Sequence, residues 1–331
     1  MKVLVTGGTG FLGGWLVRRL LAEGHDIRII RRAKAVDDLA ELPIESVPGD
    51  VTDVESLRAA CRGVDTVFHL AGVIGYSRRE RRAMEEVNVG GTANVIAACR
   101  DAGVRKLVYA SSVAAIGAST DGTPLTEDSP FTIHPLELGY FETKHRAEEL
   151  LREAVRAGSI DAVMVNPTTI YGPGDVKKGT RRTQCRVAEG RLRFFPPGGV
   201  GVVAVEDVID AFMAVWQRGR PGERYICNGE NLLFGDLFAM IAREAGARPP
   251  SIRLPKGVTI AIGRTGDLLE AIGLPSPLES ETARAAVLYH WFDASKAKSE
   301  LGLRFKPAAQ AIAASVRWMR DYGRLPGPRR I

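Results

Sequence analysis

The sequence predicts an α/β fold, with a doubly wound parallel sheet followed by a smaller C-terminal lobe. Short apolar runs of the kind found in buried strands alternate with stretches of helical periodicity over the first half of the chain. The stretches between the runs are long enough for the crossover connections that parallel strands require. After about residue 166 the alternation ends, and loop-rich sequence with later helical patterns follows. At 331 residues, the chain has room for one large body and one smaller lobe.

The chain opens with a strand, a glycine-rich turn and a helix. The apolar run Val3–Val5 is followed, after the turn, by helical periodicity that begins at Phe11. The glycines Gly7, Gly10 and Gly13 are spaced three residues apart. The first can form the tight turn, the second lets backbone approach a pyrophosphate, and the third lets the helix pack on the strand. Because a helix N-terminus attracts phosphates, the pattern predicts a dinucleotide site, the alternative being a turn with a purely conformational role.

The composition is that of an ordinary globular protein, with 45% hydrophobic and 25% charged residues. The net charge of +6 comes from short basic clusters without interleaved aromatic residues, so we expect solvated surface or anionic-ligand contacts rather than nucleic acid binding. The four cysteines are far apart and form no metal or disulfide motif. The chain begins with a strand, and its most apolar later stretch, Val258–Ile272, contains three charged residues. We therefore expect a cytoplasmic protein without metal and without a membrane span.

The second strand, Asp26–Ile30, ends at Arg31 and Arg32. Proteins that prefer NAD usually place an acidic residue here to accept the ribose hydroxyls, whereas a basic residue can pair with the 2′-phosphate of NADP. Arg31 stands where the acid would be expected. NADP(H) is therefore favoured over NAD(H), the alternative being that Arg31 only stacks on the adenine.

Four further strands are predicted at the apolar runs Ile44–Val47, Asp65–Leu70, Lys106–Ala110 and Asp161–Val165. Between them, long helical patterns cover Arg78–Ala102 and Gly139–Ala157. The later helical patterns cover Val205–Trp216, Phe234–Ala245, Lys256–Ile272, Glu279–Val287 and Pro307–Tyr322.

A possible catalytic group lies on the helix at Gly139–Ala157. Tyr140 and Lys144 are four residues apart, which places both side chains on one face of a helix. An adjacent ammonium favours the ionised phenol, so we expect Lys144 to lower the pKa of Tyr140. Ser112 follows the fifth strand at the carboxyl edge of the sheet, where it can donate a hydrogen bond to a substrate oxygen.

Taken together, these motifs resemble the extended short-chain dehydrogenases/reductases, the NAD-dependent epimerase/dehydratase family. The signature TGxxGxxG at Thr6–Gly13, the serines at the end of the fifth strand, the Tyr140/Lys144 pair and Asn166-Pro167 carry the resemblance, which covers nearly the whole chain. It implies a Rossmann-type body with Tyr140 as general acid/base, Lys144 as its electrostatic partner and ribose ligand, and Ser112 as the carbonyl donor. Ser111 is the nearest rival of Ser112.

The resemblance also implies a set of residues beside the cofactor. Asp50 belongs to a segment that meets the adenine, Leu70, Ala71 and Gly72 form a turn beside the ribose, and Asn88 braces neighbouring strands. His69 is expected to be a packing residue. The complete set is Gly7, Thr9, Gly10, Phe11, Leu12, Gly13, Arg31, Arg32, Asp50, Val51, Leu70, Ala71, Gly72, Asn88, Ser111, Tyr140, Lys144, Asn166 and Pro167.

The branch of the family is harder to identify. The segments 166–175 and 222–231 look like those of dihydroflavonol-4-reductase-like proteins and equally like those of hopanoid-associated sugar epimerases. Nucleotide-sugar enzymes typically carry an arginine shortly before a VxDV segment, which here is Val205–Val208. The preceding residues 200–204 contain no basic side chain, which favours a less charged carbonyl substrate. Arg181, Arg182 or Arg193 could supply the missing cation from elsewhere.

The leading hypothesis is an NADP(H)-dependent reductase of ketones or aldehydes that uses Tyr140 as proton donor. An NAD-dependent nucleotide-sugar epimerase or dehydratase and a non-catalytic NADP-binding redox sensor are the alternatives. We expect residues 1–166 to form the cofactor-binding body, with some later segments returning to it. Residues 167–322 would form mainly the substrate-binding lobe and 323–331 a tail. The family also implies a homodimer through the helices at Arg78–Ala102 and Gly139–Ala157.

Overall fold

A parallel sheet of seven strands forms the centre of the protein, as seen in a computed structural model. The structure describes residues 1–32, 39–175, 179–271, 278–323 and 325. In chain order the strands are β1 (Lys2–Thr6), β2 (Asp26–Arg31), β3 (Glu45–Pro48), β4 (Thr66–His69), β5 (Lys106–Ala110), β6 (Ala162–Pro167), β7 (Thr169–Tyr171), β8 (Phe194–Phe195), β9 (Gly199–Ala204), β10 (Arg224–Cys227), β11 (Glu230–Leu233), β12 (Ile252–Arg253) and β13 (Tyr289–His290).

Twelve α-helical segments accompany these strands within the described ranges. They are α1 (Phe11–Ala22), α2 (Val54–Cys61), α3 (Arg81–Met84), α4 (Gly91–Ala102), α5 (Gly139–Arg156), α6 (Gly179–Ala188), α7 (Val205–Arg218), α8 (Phe234–Ala245), α9 (Lys256–Ala271), α10 (Ser280–Ala286), α11 (Ser295–Leu301) and α12 (Ala308–Asp321). Short 3₁₀ turns occur at 78–80, 113–115 and 134–136, and a π-helical segment, Glu85–Gly90, joins α3 to α4.

The large sheet has the strand order β10-β6-β5-β4-β1-β2-β3, and all its pairings are parallel. The order reverses between β1 and β4, so the loops that follow these two strands lie side by side at the carboxyl edge of the sheet. In open α/β sheets, ligands bind at such a switch point. The predicted doubly wound sheet is confirmed.

Helices cover both faces of this sheet. One apolar core joins the sheet to α1 and α7 and includes Leu16 and Phe212, both fully buried. The other joins the opposite face to α2, α4 and α5 and includes Leu57 and Leu151, also fully buried. Because both faces are covered, the central strands carry apolar residues at consecutive positions in their interiors rather than at alternating ones, which explains why the sequence shows them as continuous apolar runs.

The second half of the chain builds a smaller lobe around β9. This strand pairs with β7 and β13 in parallel and with β11 in antiparallel orientation, while β8 and β12 form a separate pair. Helices α6, α8 and α12 share an apolar core with β7 and β9. Strand β10 and helix α7 instead return to the large body. The limits 1–166 and 167–322 stay a prediction, and of the tail 323–331 only residues 323 and 325 are described.

The main differences from the sequence prediction concern the types and bounds of individual helices and strands. The segment Arg78–Ala102 is helical throughout, as predicted, but it begins with a 3₁₀ turn and contains the π-helical segment between α3 and α4. The loop-rich stretch expected after residue 166 contains several short strands, which lack the βα rhythm that would reveal them. The boundaries of the body strands shift by one or two residues only, and helix α8 matches its prediction at both ends.

Within the described ranges, no helix is both long enough and apolar enough to cross a bilayer. The apolar stretch that begins at Val258 lies in α9. The charged residues Arg264 and Asp267 interrupt the apolar sequence of this helix.

Candidate active site

The glycine turn after β1 has the close contacts that only glycine permits. Gly7 has a φ of 69°, and a Cβ on it would lie 2.7 Å from the backbone nitrogen of Ala71. A Cβ on Gly13 would lie 2.2 Å from the Gly7 carbonyl oxygen, so α1 packs directly on the turn. Gly10 is exposed, and it precedes α1 without any side-chain cap. The cradle therefore fits a dinucleotide pyrophosphate at the N-terminus of α1. Thr9, Phe11 and Leu12 flank Gly10.

The loop after β4 is fixed against this turn. The backbone N–H of Ala71 donates to Thr6 Oγ1 over 3.2 Å, so Leu70, Ala71 and Gly72 lie beside the glycines. His69 is fully buried and hydrogen-bonded to Thr6 Oγ1 at 2.7 Å. Burial, with a smaller contribution from the charge of Lys144, lowers the pKa of His69 to about 3. His69 is therefore a neutral packing residue, as predicted.

Two arginines and an aspartate lie at the carboxyl edge of the sheet, on the β2 side of the glycine turn. Arg31 is the last residue of β2, Arg32 follows it, and both are exposed. Arg32 Nε lies 4.0 Å from Asp50 Oδ2, and Asp50 also accepts a hydrogen bond from the N–H of Thr52 over 3.0 Å. Val51 is buried, and its carbonyl accepts a hydrogen bond from α4. The arrangement puts two cations and one carboxylate at the carboxyl ends of β2 and β3.

Ser112 and Tyr140 meet at the carboxyl end of β5. The two side chains are close enough that Ser112 acts to lower the pKa of the Tyr140 phenol. Ser112 Oγ accepts a hydrogen bond from the N–H of Ala114 over 3.2 Å. Ser111, the rival residue, is buried, and its Oγ has no hydrogen-bond partner among the described residues. The geometry therefore pairs Tyr140 with Ser112.

Lys144 lies one turn after Tyr140 on α5 and is almost fully buried. Its Nζ donates to the hydroxyl oxygen of Tyr109 over 2.6 Å and to the carbonyl oxygen of Ala110 over 2.7 Å. Burial lowers the pKa of Lys144 to about 7, and the nearby charge of Glu148 acts in the opposite direction.

The expected lowering of the Tyr140 pKa is not found. Burial raises the pKa of Tyr140 to about 12, while the nearby Ser112 side chain acts in the opposite direction. The physical reason is that Lys144 directs its ammonium to Tyr109 and Ala110, so desolvation dominates at the phenol. Tyr140 is thus protonated near neutral pH in the cofactor-free chain and can act as a proton donor.

Asn88 braces a loop and a helix rather than the strands named in the prediction. Its side chain exchanges hydrogen bonds with the backbone of Val73, accepting over 2.8 Å and donating over 2.9 Å. It also donates to Thr143 Oγ1 on α5 over 3.2 Å. Asn88 lies in the π-helical segment, where the extra residue turns its amide toward both partners. It therefore holds the loop after β4 next to the helix that carries Tyr140 and Lys144.

Asn166 holds the loop that carries Ser112. Located near the end of β6 and fully buried, it donates to the carbonyl oxygen of Ser112 over 3.0 Å and to Glu148 Oε1 over 2.5 Å. Its Oδ1 is buried with no partner among the described residues. Pro167 ends β6 opposite Cys227. Both residues lie at the same sheet edge as the Ser112–Tyr140 pair.

The chain is similar to known proteins in both sequence and structure. The model of the NAD dependent epimerase/dehydratase family matches residues 3–227. The chain belongs to this family. It is 34% identical over 333 residues to sterol demethylase protein B of Methylococcus capsulatus, covering 98% of this chain and 100% of that protein. It is 32% identical over 326 residues to a putative dihydroflavonol 4-reductase of Synechocystis, covering 96% and 94%.

The fold of the family is equally evident in three dimensions. The crystal structure of gox2253 superposes with a TM-score of 0.88 at 34% identity, covering 98% of this chain and 99% of that one. The predicted resemblance to extended short-chain dehydrogenases/reductases, with a Rossmann-type body, is thereby confirmed. The family is an oxidoreductase family that uses nicotinamide cofactors.

Three buried residues of this epimerase/dehydratase-family site were missed by the sequence prediction. Tyr109 binds Lys144, and Glu148 is fully buried on α5. Arg224 on β10 donates to Glu148 Oε2 over 3.1 Å and to the carbonyl of Glu127 over 2.7 Å. Glu148 had a usable signal, since it continues the four-residue spacing of Tyr140 and Lys144. Tyr109 and Arg224 had none, because their contacts cross between distant parts of the chain.

The predicted site residues thus fall into two groups along one edge of the sheet. Ser112, Tyr140 and Lys144 lie together at β5 and α5, while Arg31 and Asp50 lie at β2 and β3, beyond the glycine turn of β1. This separation suits an extended dinucleotide. Among the described residues, no group of three or more histidine, cysteine or acidic side chains is arranged to hold a metal ion.

Proposed function

We propose that the chain is an NADP(H)-dependent reductase of ketones or aldehydes. The observation that carries the proposal is the proximity of the Ser112 and Tyr140 side chains at the same edge of the sheet as the glycine cradle, with the phenol protonated. A protonated phenol suits the reductive direction, in which the new hydroxyl group needs a proton. The name of the Synechocystis relative, a putative dihydroflavonol 4-reductase, supports the same reaction class.

Each residue has a definite task in this reaction. When bound, the nicotinamide cofactor supplies the hydride that reaches the carbonyl carbon. The cradle of Gly7, Gly10 and Gly13 holds the pyrophosphate. The hydroxyl of Ser112 donates to the substrate carbonyl oxygen, and Tyr140 transfers its phenolic proton to that same oxygen. With the cofactor bound, the buried ammonium of Lys144, which here donates to Tyr109 and Ala110, would turn toward the ribose and the phenolate that remains.

The preference for NADP(H) over NAD(H) rests on Arg31 and Arg32. Both are exposed at the carboxyl end of β2, where a basic side chain can pair with a 2′-phosphate. Arg31 stands where an NAD-preferring protein would carry an acidic residue, so we assign the 2′-phosphate to Arg31.

An NAD-dependent nucleotide-sugar epimerase or dehydratase is the second candidate, and one observation favours it. The residues before the VxDV segment form β9, in which Val202 and Val203 are fully buried. Their apolar character is therefore explained by packing in the lobe, and the absence of an arginine there does not exclude a charged substrate. The two reactions differ in one measurable property, since only the reductase releases oxidised cofactor in proportion to turnover.

The decisive experiment is a turnover screen with NADPH and NADH against aldehydes, ketones and UDP-sugars. We expect NADPH oxidation with a carbonyl substrate, and Tyr140→Phe to lower kcat by about 10²- to 10⁴-fold because the proton donor is lost. Tyr322→Phe, which changes an exposed tyrosine, serves as the matched control and should keep full activity. Full activity of Tyr140→Phe would refute the proposed role.

Two other outcomes of the screen would favour one of the alternative functions over the reductase. Conversion of a UDP-sugar without net release of oxidised cofactor would identify the epimerase or dehydratase. Tight binding of NADPH without any turnover would identify the redox sensor. The homodimer through the segments 78–102 and 139–157 remains part of the proposal and is measured by light scattering.

A further inference from the structure

A cluster of exposed apolar and basic side chains lies on the lobe. Phe194 on β8 and Ile252 on β12 are direct partners in a parallel register and are 46% and 49% exposed. Partners in a parallel pair point to the same face of the sheet and lie close together. Val258, in the first turn of the helix that follows β12, is 45% exposed. We call the segments 191–195 and 248–258 the basic-apolar face.

The two segments of this face are held together by backbone contacts. The N–H groups of Ser251 and Ile252 both lie 3.2 Å from the carbonyl oxygen of Arg193, and the N–H of Leu254 donates to Phe195 over 2.9 Å. The turn before the first segment meets the second, because a Cβ on Gly190 would lie 3.9 Å from the backbone nitrogen of Arg248. The face is therefore a continuous, fixed surface.

Its charge has one sign. The two segments contain five cationic residues and no acidic residue; the cations are Arg191, Arg193, Arg248, Arg253 and Lys256. All five are exposed. Arg191 pairs with Glu189 at 3.1 Å, and Arg253 donates to the carbonyl of Pro197. In the part of the chain that the structure describes, the other three form no ion pair.

We propose that the basic-apolar face docks on the surface of an anionic lipid bilayer. Half-exposed phenylalanine, isoleucine and valine side chains surrounded by arginine and lysine match the boundary of such a bilayer. There, the apolar groups enter the acyl region and the cations contact the phosphates. Nucleic acid would use cations and stacking aromatics, but it offers no apolar phase for Ile252 and Val258. The docking is peripheral, and it does not depend on the proposed reductase activity.

The test is co-sedimentation of the full-length protein with sucrose-loaded vesicles. We expect binding to vesicles of phosphatidylglycerol and phosphatidylcholine, much weaker binding to phosphatidylcholine alone, and a decline with added NaCl. The double variant Phe194→Ser/Ile252→Ser should weaken binding about tenfold or more. Ile74→Ser, which changes an apolar residue of equal exposure (47%) elsewhere, should bind like the unmodified protein.

A charge-reversal variant tests the contribution of the cations to vesicle binding separately from that of the apolar side chains. Arg193→Glu/Lys256→Glu should reduce vesicle binding by about tenfold or more, because each cation near an anionic surface contributes about 1 kcal/mol. Absence of binding to anionic vesicles, or binding that neither double variant weakens, would overturn the proposal. It would also be overturned if the apolar variant changed the oligomeric mass in light scattering, since the face would then belong to a contact between copies. Circular dichroism checks that both variants fold.

Discussion

At the scale of single residues, the cofactor preference is expected to depend on Arg31. Arg31→Glu should lower kcat/KM for NADPH by about tenfold to a hundredfold, because a hydrogen bond to a charged group contributes about 1.5–3 kcal/mol. The value for NADH should stay the same or rise. Arg156→Glu, at the exposed end of α5, is the control for a change of net charge. Equal losses with both cofactors would contradict the assignment of Arg31 to the 2′-phosphate.

Lys144 gives the cofactor-free protein a defined dependence of stability on pH. Its pKa is lowered to about 7 in the folded chain, whereas an unfolded lysine titrates near its ordinary value of about 10.4. Between these pH values the unfolded chain binds more protons than the folded chain, so stability rises with pH across this window. Below about pH 7 both states are protonated, and the contribution no longer changes.

The measurement compares urea unfolding of the unmodified protein and Lys144→Met at several pH values. From pH 7 to pH 10, the stability of the unmodified protein should rise relative to that of the variant by at most about 1.4 kcal/mol per pH unit. Parallel pH profiles of the two proteins would show that Lys144 remains charged in the folded state.

At the scale of elements, the packing of α1 on the glycine turn is the feature most sensitive to substitution. Gly13→Ala would place a Cβ 2.2 Å from the carbonyl oxygen of Gly7, a contact with rigid backbone. We expect it to displace α1 and to weaken NADPH binding by at least about tenfold, as measured by calorimetry. At Gly14, the next residue, a Cβ would meet only the flexible end of Arg18 at 3.2 Å. Gly14→Ala should therefore bind normally, and equal behaviour of the two variants would contradict this explanation.

The elements also show which parts of the structure the sequence could predict. The body strands were predictable because β1, β4 and β6, buried on both faces, are continuous apolar runs bounded by turns. Strands β8, β12 and β13 have two residues each, too few to produce a periodic pattern. The π-helical segment was not visible either, since one extra residue hardly changes the helical periodicity around Asn88.

The candidate site likewise has parts that the sequence could predict and parts that it could not. The glycine turn and the Tyr140/Lys144 pair depend on local spacing, so the sequence could identify them. The binding of Lys144 to Tyr109 and the burial that raises the Tyr140 pKa both depend on how α5 packs in the folded chain, which local spacing does not show.

At the scale of the whole molecule, one buried carboxylate connects several elements. Glu148 on α5 accepts from Arg224 on β10 and from Asn166 on β6, and Asn166 in turn holds the loop of Ser112. Glu148→Gln should lower the free energy of unfolding by about 3 kcal/mol, because Arg224 is left buried without its counterion. Glu149→Gln, next to it but partly exposed and paired with Arg152, should change stability by less than about 1 kcal/mol.

Urea unfolding of the two variants decides this point. Similar losses in both would show that burial of the Glu148–Arg224 pair has no special energetic role.

The late return of β10 to the large sheet has a consequence for how the protein is made. During synthesis, the nucleotide-binding half cannot complete its sheet when residue 166 leaves the ribosome, because the edge partner of β6 is still sixty residues away in the chain. Until Arg224 has been translated, Glu148 has no cation from β10, and the edge of β6 is open to pairing with other nascent chains. A fragment that ends near residue 166 would lack β10 and would therefore be prone to aggregate.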